Sequence, residues 1–311
     1  MYYLYDRNGE PLARLNLIHT SNEKTYIMDH RTAHITGFDS KKRKMTEGIA
    51  EKFLADYIPG NKIFLTIDSR VQKAAANALG WRKGSIVVLD PKTGDILALY
   101  NQPAFSPNNI DDNNYWYNRL RKNTNKPLLN RAINSLYEPG SIAKIITLAA
   151  AFENDINEKN IFPIRCAGST MFDDKAFWCW EKHGVVRTLK KTIESSCNIG
   201  AAFIGFSVGG PRLSEFNRKF AFGVPIDIGF SDPLRGTKTS IPVSVSAFPE
   251  DHLNRYELAM HACGLTPGKG KTYTITPLHA AMIASAIANK GIMMSPSIVK
   301  EIRNINGKLI Y

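Results

Sequence analysis

Ser141 and Lys144 are the pair in this sequence best suited to do chemistry. They stand in Leu136-Tyr137-Glu138-Pro139-Gly140-Ser141-Ile142-Ala143-Lys144 and lead straight into Ile145-Ile146-Thr147-Leu148-Ala149-Ala150-Ala151-Phe152. Pro139 and Gly140 break what precedes, and Ile142, Ile145, Ile146 and Ala149 recur at helical spacing, so a buried helix is expected from about Ser141. Residues three apart share a helix face, which points the Ser141 hydroxyl and the Lys144 amine the same way. Lys144 is the only charged residue between Ser141 and Phe152. Burial disfavours its ammonium form and lowers its pKa toward that of a base able to take a hydroxyl proton. The helix N-terminus adds partial positive charge where an oxyanion would form. The plainer account of a Ser-x-x-Lys pair is an N-cap serine and a lysine whose stem is buried and whose head is wet, and on four residues alone that account is the commoner one.

Ser196 and Asn198 are the second candidate pair. Leu189 and Ile193 read as one helix, Ala201 to Val208 as another, and Ser195-Ser196-Cys197-Asn198 falls at their junction. Read plainly, Ser196 caps a helix and Asn198 ends a turn. Around these pairs, Arg70 to Leu79 is expected as a helix stopped by Gly80. Ser85–Leu89 and Asp95–Tyr100 read as a hairpin about Asp90-Pro91-Lys92-Thr93-Gly94. Thr276-Pro277 opens a helix that runs to Asn289 and ends at Lys290-Gly291. Glu47 to Tyr57 reads as a helix, Asn108 to Asn130 as a long surface loop and Gly223 to Asp251 as loop. Pro59-Gly60-Asn61 marks a domain boundary, giving 1–58 and 59–311.

Composition narrows the field of functions. The 311 residues are 43% hydrophobic, enough for one large core or two moderate ones. Forty basic against twenty-eight acidic residues give +12, compatible with an anionic polymer or surface. The densest basic cluster, Lys41-Lys42-Arg43-Lys44, is short and carries no nucleic-acid motif, so no nucleic-acid partner is expected. No window of eighteen apolar residues exists, and Met1 to Asp6 lacks the pattern of a signal peptide, so the chain as given is expected neither to span a membrane nor to export itself. Cys166, Cys179, Cys197 and Cys263 are too few for a disulfide scaffold. Cys166, Cys179 and His183 match no ordinary zinc spacing, so core cysteines or one Cys166–Cys179 bridge are expected. His30 and His34, four apart, lie in a stretch that reads as loop or strand and are not expected to bind metal.

Taken together, these residues resemble the penicillin-binding proteins, the serine D,D-transpeptidases that cross-link peptidoglycan. Tyr137-Glu-Pro-Gly-Ser141-Ile-Ala-Lys144 is similar to their Ser-x-x-Lys motif and Ser196-Cys197-Asn198, fifty-five residues on, to their Ser-x-Asn motif. The hairpin, Pro103-Ala-Phe-Ser-Pro107-Asn108, Cys179-Trp180 with His183-Gly184, and Thr276-Pro-Leu-His-Ala280 through Gly291 occur in matching order. Asp6-Arg7-Asn8-Gly9 and Ala33-His34-Ile35-Thr36-Gly37 resemble fragments of the domain that precedes the catalytic one in class B, monofunctional members. The resemblance implies an α+β fold like that of the penicillin-binding proteins and serine β-lactamases: a helix-flanked antiparallel sheet plus an all-helical subdomain. It implies Ser141 as nucleophile, Lys144 as base, Ser196 as proton relay and Asn198 as a substrate-binding residue, with no cofactor or metal. It also implies stem peptides and β-lactams as ligands, partners in a membrane or cell-wall synthesis complex, and a site outside the cytoplasmic membrane. Residues 1–58 would then be a remnant of the preceding domain and 59–311 the transpeptidase domain.

The third motif departs from this pattern. In the family Lys-Thr-Gly lies on a strand after the Thr-Pro-Leu helix, whereas the only Lys-Thr-Gly here, Lys92 to Gly94, sits in the hairpin turn before Ser141. Lys271-Thr272-Tyr273 lacks the glycine. The expectation is therefore a domain incomplete at its carboxy-terminal strands, in a fragment, a split gene or a degenerate member. A penicillin-binding module without turnover, and a β-lactamase or D,D-carboxypeptidase on the same fold, are the alternatives.

Overall fold

A computed structural model describes residues 2–15, 24–40, 42–50, 61–232, 237–249, 253–266 and 271–311. The chain divides into two compact units, one of Met1–Ser135, Ile226–Ser244 and Thr276–Tyr311, the other of Leu136–Pro225 and Val245–Ile275.

The first unit is built on a five-stranded sheet in the order Val299–Arg303, Lys62–Leu65, Tyr2–Tyr5, Pro11–Leu15, Lys24–Tyr26. Three of its pairings are antiparallel as expected, but Tyr2–Tyr5 runs parallel to Lys62–Leu65, with Leu4 opposite Ile63. A parallel pairing needs a long crossover, and the chain between these strands supplies one. This pairing also joins the two sides of residue 58 within one compact unit. The Asp6-Arg7-Asn8-Gly9 fragment is the turn between the first two strands. Buried Asp6 accepts the amides of Asn8 at 2.8 Å, Glu10 at 2.9 Å and Ser69 at 3.0 Å. Gly9 takes φ +90°, a conformation costly for other residues.

Ser69–Leu79 is the helix expected before Gly80, capped by the Asp68 side chain on the Arg70 amide. Its Ala75 and Ala76 pack on Ala98 and Tyr100 of the antiparallel hairpin Gly84–Leu89 and Ile96–Gln102. Lys92-Thr93-Gly94 belongs to the turn of that hairpin. Gly94 has φ +81°, and a Cβ there would run into the Ser295 carbonyl oxygen, so the glycine serves backbone packing. The Pro277–Ala288 helix, capped by Thr276, buries Leu278, Met282 and Ile283.

Several stretches differ from expectation. The Asn108 to Asn130 segment carries a wide-turned helix, Tyr115–Arg121, which buries Trp116 and Leu120; two apolar residues four apart, among asparagines and charges, are its only signal. His30 and His34 lie in short helical turns, Asp29–Arg31 and Ala33–Thr36. His34 is buried with Nε2 2.8 Å from the Pro127 carbonyl oxygen. Gly223 to Asp251 contains paired strands, Phe230–Asp232 and Thr237–Thr239. Of the Glu47 to Tyr57 helix, residues 51–57 lie outside the described residues, and Glu47 itself ends the strand Met45–Glu47.

The second unit is helical at its core. The Asn198–Val208 helix is apolar almost all round and buries Ile199, Ala201, Ala202, Ile204 and Val208. Gly205 lets it approach the Arg255–Ala262 helix so closely that a Cβ there would stand 2.6 Å from the Ala262 Cβ. Alongside the helices lie two small hairpins, Ile164–Cys166 with Gly184–Val186, and Ser169–Phe172 with Lys175–Trp178.

Each unit holds a buried histidine that burial pushes from 6.5 to about 4, His34 in the first and His261 in the second. Unfolding restores the higher value, so the native state binds fewer protons between these pH values. Stability is therefore full above about pH 6.5 and falls as pH drops toward 4, by up to about 3 kcal/mol per histidine. Thermal unfolding followed across that range is expected to show a falling Tm, and His261→Asn is expected to flatten the slope.

Candidate active site

The approach to Ser141 is held by backbone before any side chain acts. Tyr137 exchanges hydrogen bonds with Ile275: its amide donates at 3.0 Å and its carbonyl accepts at 2.8 Å. The Glu138 carboxylate accepts the Thr266 amide at 2.9 Å, and the Gly140 amide donates to the Gly264 carbonyl at 2.9 Å. Gly140–Ile142 then forms a tight 3-10 turn that widens into the Ala143–Glu153 helix, so Ser141 stands on the first turn, one step earlier in geometry than a plain α-helical start. Gly264 has no warning in the sequence, yet it takes φ +78° and a Cβ on it would meet the Gly140 carbonyl oxygen and stand 2.8 Å from the Ala143 Cβ. Gly264→Ala is expected to cost about 2–4 kcal/mol, strain plus backbone displacement, in thermal unfolding. Gly140→Ala, with φ +55° and nothing within 4 Å, is expected to cost only about 1 kcal/mol.

Lys144 is completely buried, and its amine is surrounded by oxygen. Nζ lies 2.7 Å from the Ser196 carbonyl oxygen, 2.7 Å from Asn198 Oδ1, 3.0 Å from Ser196 Oγ and 3.1 Å from Ser141 Oγ. Ser141 Oγ and Ser196 Oγ are 2.7 Å apart. The carbonyl and the amide oxygen are acceptors only, so they take two N–H bonds of the lysine. What remains of a neutral amine is a lone pair directed at the two hydroxyls. Burial pushes the lysine down from its usual 10.5, toward the form that has that lone pair.

Ser196 and Asn198 lie where the two helices meet. Leu189–Glu194 begins at Thr188, whose side chain accepts the Lys191 amide, and Asn198–Val208 begins at Cys197, whose sulfur accepts the Gly200 amide. Between them Ser196 adopts φ +50°, a left-handed conformation uncommon for serine and frequent at functional positions. That geometry turns both its carbonyl and its hydroxyl toward Lys144. Asn198 is oriented from behind: its Nδ2 donates to the Trp178 carbonyl at 3.0 Å, which directs Oδ1 to the lysine. Trp180 Nε1 donates to the Ser195 and Ser196 carbonyls at 3.2 Å each. Trp180 was legible only as part of the Cys179-Trp180 pair; nothing in its spacing announces a brace for the Ser196 turn.

All four sequence-predicted residues, Ser141, Lys144, Ser196 and Asn198, thus meet in one cluster within the second unit. Ser141, Ser196 and Asn198, with Gly140, Trp180, Cys263 and Leu265, line an open hollow of about 330 Å³. The cluster can deprotonate a serine hydroxyl, hold an acyl group on it and pass the proton onward through a second hydroxyl.

A profile of the penicillin binding protein transpeptidase domain matches residues 84–309. The peptidoglycan D,D-transpeptidase PbpA of Mycobacterium tuberculosis is 30% identical over 281 residues, which span 85% of this chain and 53% of that protein, so the chain covers about half the length of this relative. The D,D-transpeptidase domain of a peptidoglycan glycosyltransferase from Eggerthella lenta superposes with a TM-score of 0.84 at 28% identity, covering 99% of this chain and 74% of that one. The imipenem acyl-enzyme complex of M. tuberculosis penicillin-binding protein A gives a TM-score of 0.80 at 26% identity, covering 99% of this chain and 75% of that one. By its matched residues and its fold, this chain belongs to the penicillin-binding protein transpeptidase family, among the class B members.

Proposed function

We propose that this chain carries the acyl-transfer site of a peptidoglycan D,D-transpeptidase. The observation that carries the reading is the fully buried Lys144 amine 3.1 Å from Ser141 Oγ, with Ser196 Oγ 2.7 Å from the same hydroxyl. Ser141 Oγ attacks the carbonyl of the penultimate D-Ala of a stem peptide, and its proton passes to Lys144 Nζ. The tetrahedral oxyanion forms beside the positive end of the helical run that begins at Gly140. The C–N bond then breaks as Ser196 relays the proton from Lys144 to the departing amine, and D-Ala leaves. An amine of a second stem attacks the Ser141 ester, gives its proton back through the same relay and frees the hydroxyl. Asn198 holds Lys144 in place and offers its amide edge to the peptide. β-Lactams acylate the same hydroxyl and stay, because no amine displaces them.

Residues 1–58 are assigned to the remnant of the preceding domain and 59–311 to the transpeptidase domain, acting at the outer face of the cytoplasmic membrane with other cell-wall synthesis proteins. No helix among the described residues is long and apolar enough to cross a membrane. A second reading, a penicillin-binding module without turnover, draws on one observation: the only Lys-Thr-Gly of the sequence, Lys92 to Gly94, serves a hairpin turn. The test is incubation with a stem-peptide analogue ending in D-Ala-D-Ala and an amine acceptor. Release of D-Ala with a cross-linked product supports transpeptidation. Release with hydrolysed product alone indicates a carboxypeptidase, and an acylated protein without either product indicates the module.

A further inference from the structure

The second unit holds three buried polar side chains that no acyl-transfer step uses, Asn217, His261 and Tyr273. They come from three segments: the Gly210–Lys219 helix, the Arg255–Ala262 helix and the residues 273–275 that precede the Pro277–Ala288 helix. Asn217 joins them. Its Nδ2 donates to the Leu213 carbonyl at 2.8 Å and lies 3.0 Å from His261 Nε2, while its Oδ1 accepts the Tyr273 hydroxyl at 2.7 Å. The Leu213 carbonyl can only accept, so it fixes which end of the amide is nitrogen, and His261 must then accept at Nε2. The imidazole proton therefore sits on Nδ1, which is buried with no hydrogen-bond partner among the described residues. A buried donor left unpaired is a cost that an apolar residue at position 261 would not incur. The Tyr273 ring is held edge-on to both His261 and Phe222, with centroids 5.0 and 5.4 Å away.

Two of the joined segments are the ones that hold the approach to Ser141. The His261 carbonyl accepts the Gly264 amide at 2.9 Å, and the Gly264 carbonyl accepts the Gly140 amide at 2.9 Å. Next to His261, the Ala262 carbonyl accepts the Thr147 hydroxyl at 2.9 Å, so the same helix end also grips the Ala143–Glu153 helix. The Cys263 thiol, one residue further, donates to the Asn198 carbonyl at 3.3 Å. From the other side, Ile275 pairs through its amide and carbonyl with Tyr137. The two backbone anchors of residues 137–140 thus belong to separate segments, and the Asn217 amide bonds a side chain of each.

We propose that Asn217 is a positioning residue for acyl transfer: it locks the helix end that holds Gly140 to the run that holds Tyr137, and so fixes Ser141 Oγ against Lys144 Nζ. The assignment rests on the acyl-transfer reading given above. The 3.1 Å between those two atoms depends on the Gly140–Ile142 turn, and without Asn217 the anchors of that turn are free to shift independently. A misplacement of about 1 Å at a reacting atom lowers a rate by as much as about 10²-fold.

The test is the kinetics of benzylpenicillin acylation by the wild-type chain, Asn217→Leu and Tyr273→Phe, each at a temperature where circular dichroism shows it folded. Varying the penicillin concentration separates the maximal acylation rate from the half-saturating concentration. Asn217→Leu is expected to lower the maximal rate by about 10–10²-fold and to leave the half-saturating concentration nearly unchanged, the pattern of a misplaced nucleophile and an intact binding surface. Tyr273→Phe is expected to act in the same direction with a smaller effect, and the double variant to be no slower than Asn217→Leu, because both changes act through one amide. Where Asn217→Leu does not fold, Tyr273→Phe decides alone. Folded variants that melt earlier but acylate at the wild-type maximal rate, or that change only the half-saturating concentration, overturn the proposal. A wild-type chain that penicillin does not label overturns the acyl-transfer reading itself and the role of Asn217 with it, whereas a labelled wild type with unaffected variants overturns the role of Asn217 alone.

Discussion

Ser141→Ala is expected to abolish covalent labelling by benzylpenicillin while leaving the protein folded. The loss follows from the chemistry, since the acyl bond is made to the Ser141 oxygen and no other hydroxyl among the described residues stands at the start of a helix beside Lys144 with the exposure to meet a ligand. Ser196, the nearest, is 2.7 Å away, but it occupies the relay position with its carbonyl committed to the same amine. The fold should hardly notice, because the side chain is exposed and Lys144 keeps the Ser196 carbonyl, Asn198 Oδ1 and Ser196 Oγ as partners. A change in Tm of no more than a few degrees is expected, consistent with the small cost of a surface substitution. Intact-protein mass before and after penicillin, beside a thermal melt, measures both halves of the expectation. A labelled Ser141→Ala protein would assign the nucleophile elsewhere.

Lys144→Met is expected to slow acylation by roughly 10²–10⁴-fold, the range general-base catalysis supplies. Methionine nearly matches the stem in volume, so the cavity stays filled, but it leaves Asn198 Oδ1 without its lysine donor and the Ser196 carbonyl with only the longer bond from Trp180 Nε1. Each such oxygen, if left dry, costs about 1–3 kcal/mol, so Tm should fall as well. Two readouts separate the chemical loss from the structural one. Wild-type acylation is expected to accelerate as pH rises through the lysine's lowered pKa, below the usual 10.5, because only the neutral amine accepts the Ser141 proton. Lys144→Met should lack that limb at any temperature where it is folded. Lys144→Arg, which keeps the charge and the donors but cannot deprotonate, should be as slow as the methionine variant.

Much of this site is legible in residue order because its parts are local. Ser141 and Lys144 are one helical turn apart, and Ser196 and Asn198 flank a helix start, so the periodicity of the neighbouring apolar residues places each pair. That the two pairs meet is a tertiary fact, and only the resemblance anticipated it. Cys166, Cys179, His183 and Cys197 show the opposite case: their sulfur and ring-nitrogen atoms lie within 4.8 Å of one another, and the cysteines are free thiols, so the Cys166–Cys179 bridge is not formed. Their four side chains come from three separate local structures, and neither strand pairing nor the cap leaves a spacing a linear reading can use. Gly264 escapes notice for a related reason, since its need for glycine comes from the Gly140 backbone far away in sequence. In the first unit the hairpin and its covering helix follow from alternation and capping, whereas the parallel pairing of Tyr2–Tyr5 with Lys62–Leu65 depends on a partner chosen across a long crossover. The Tyr115–Arg121 helix was hidden by composition, its two buried residues outnumbered by polar neighbours.

The most direct measurement is to incubate the wild-type chain with benzylpenicillin, digest the adduct and map the penicilloyl group by mass spectrometry. The acyl group is expected on the peptide that contains Ser141, in one copy per chain, and absent from every peptide of Ser141→Ala. An adduct on another residue, or none on a chain that circular dichroism shows folded, would contradict the assignment of Ser141, Lys144, Ser196 and Asn198 as a working acyl-transfer site.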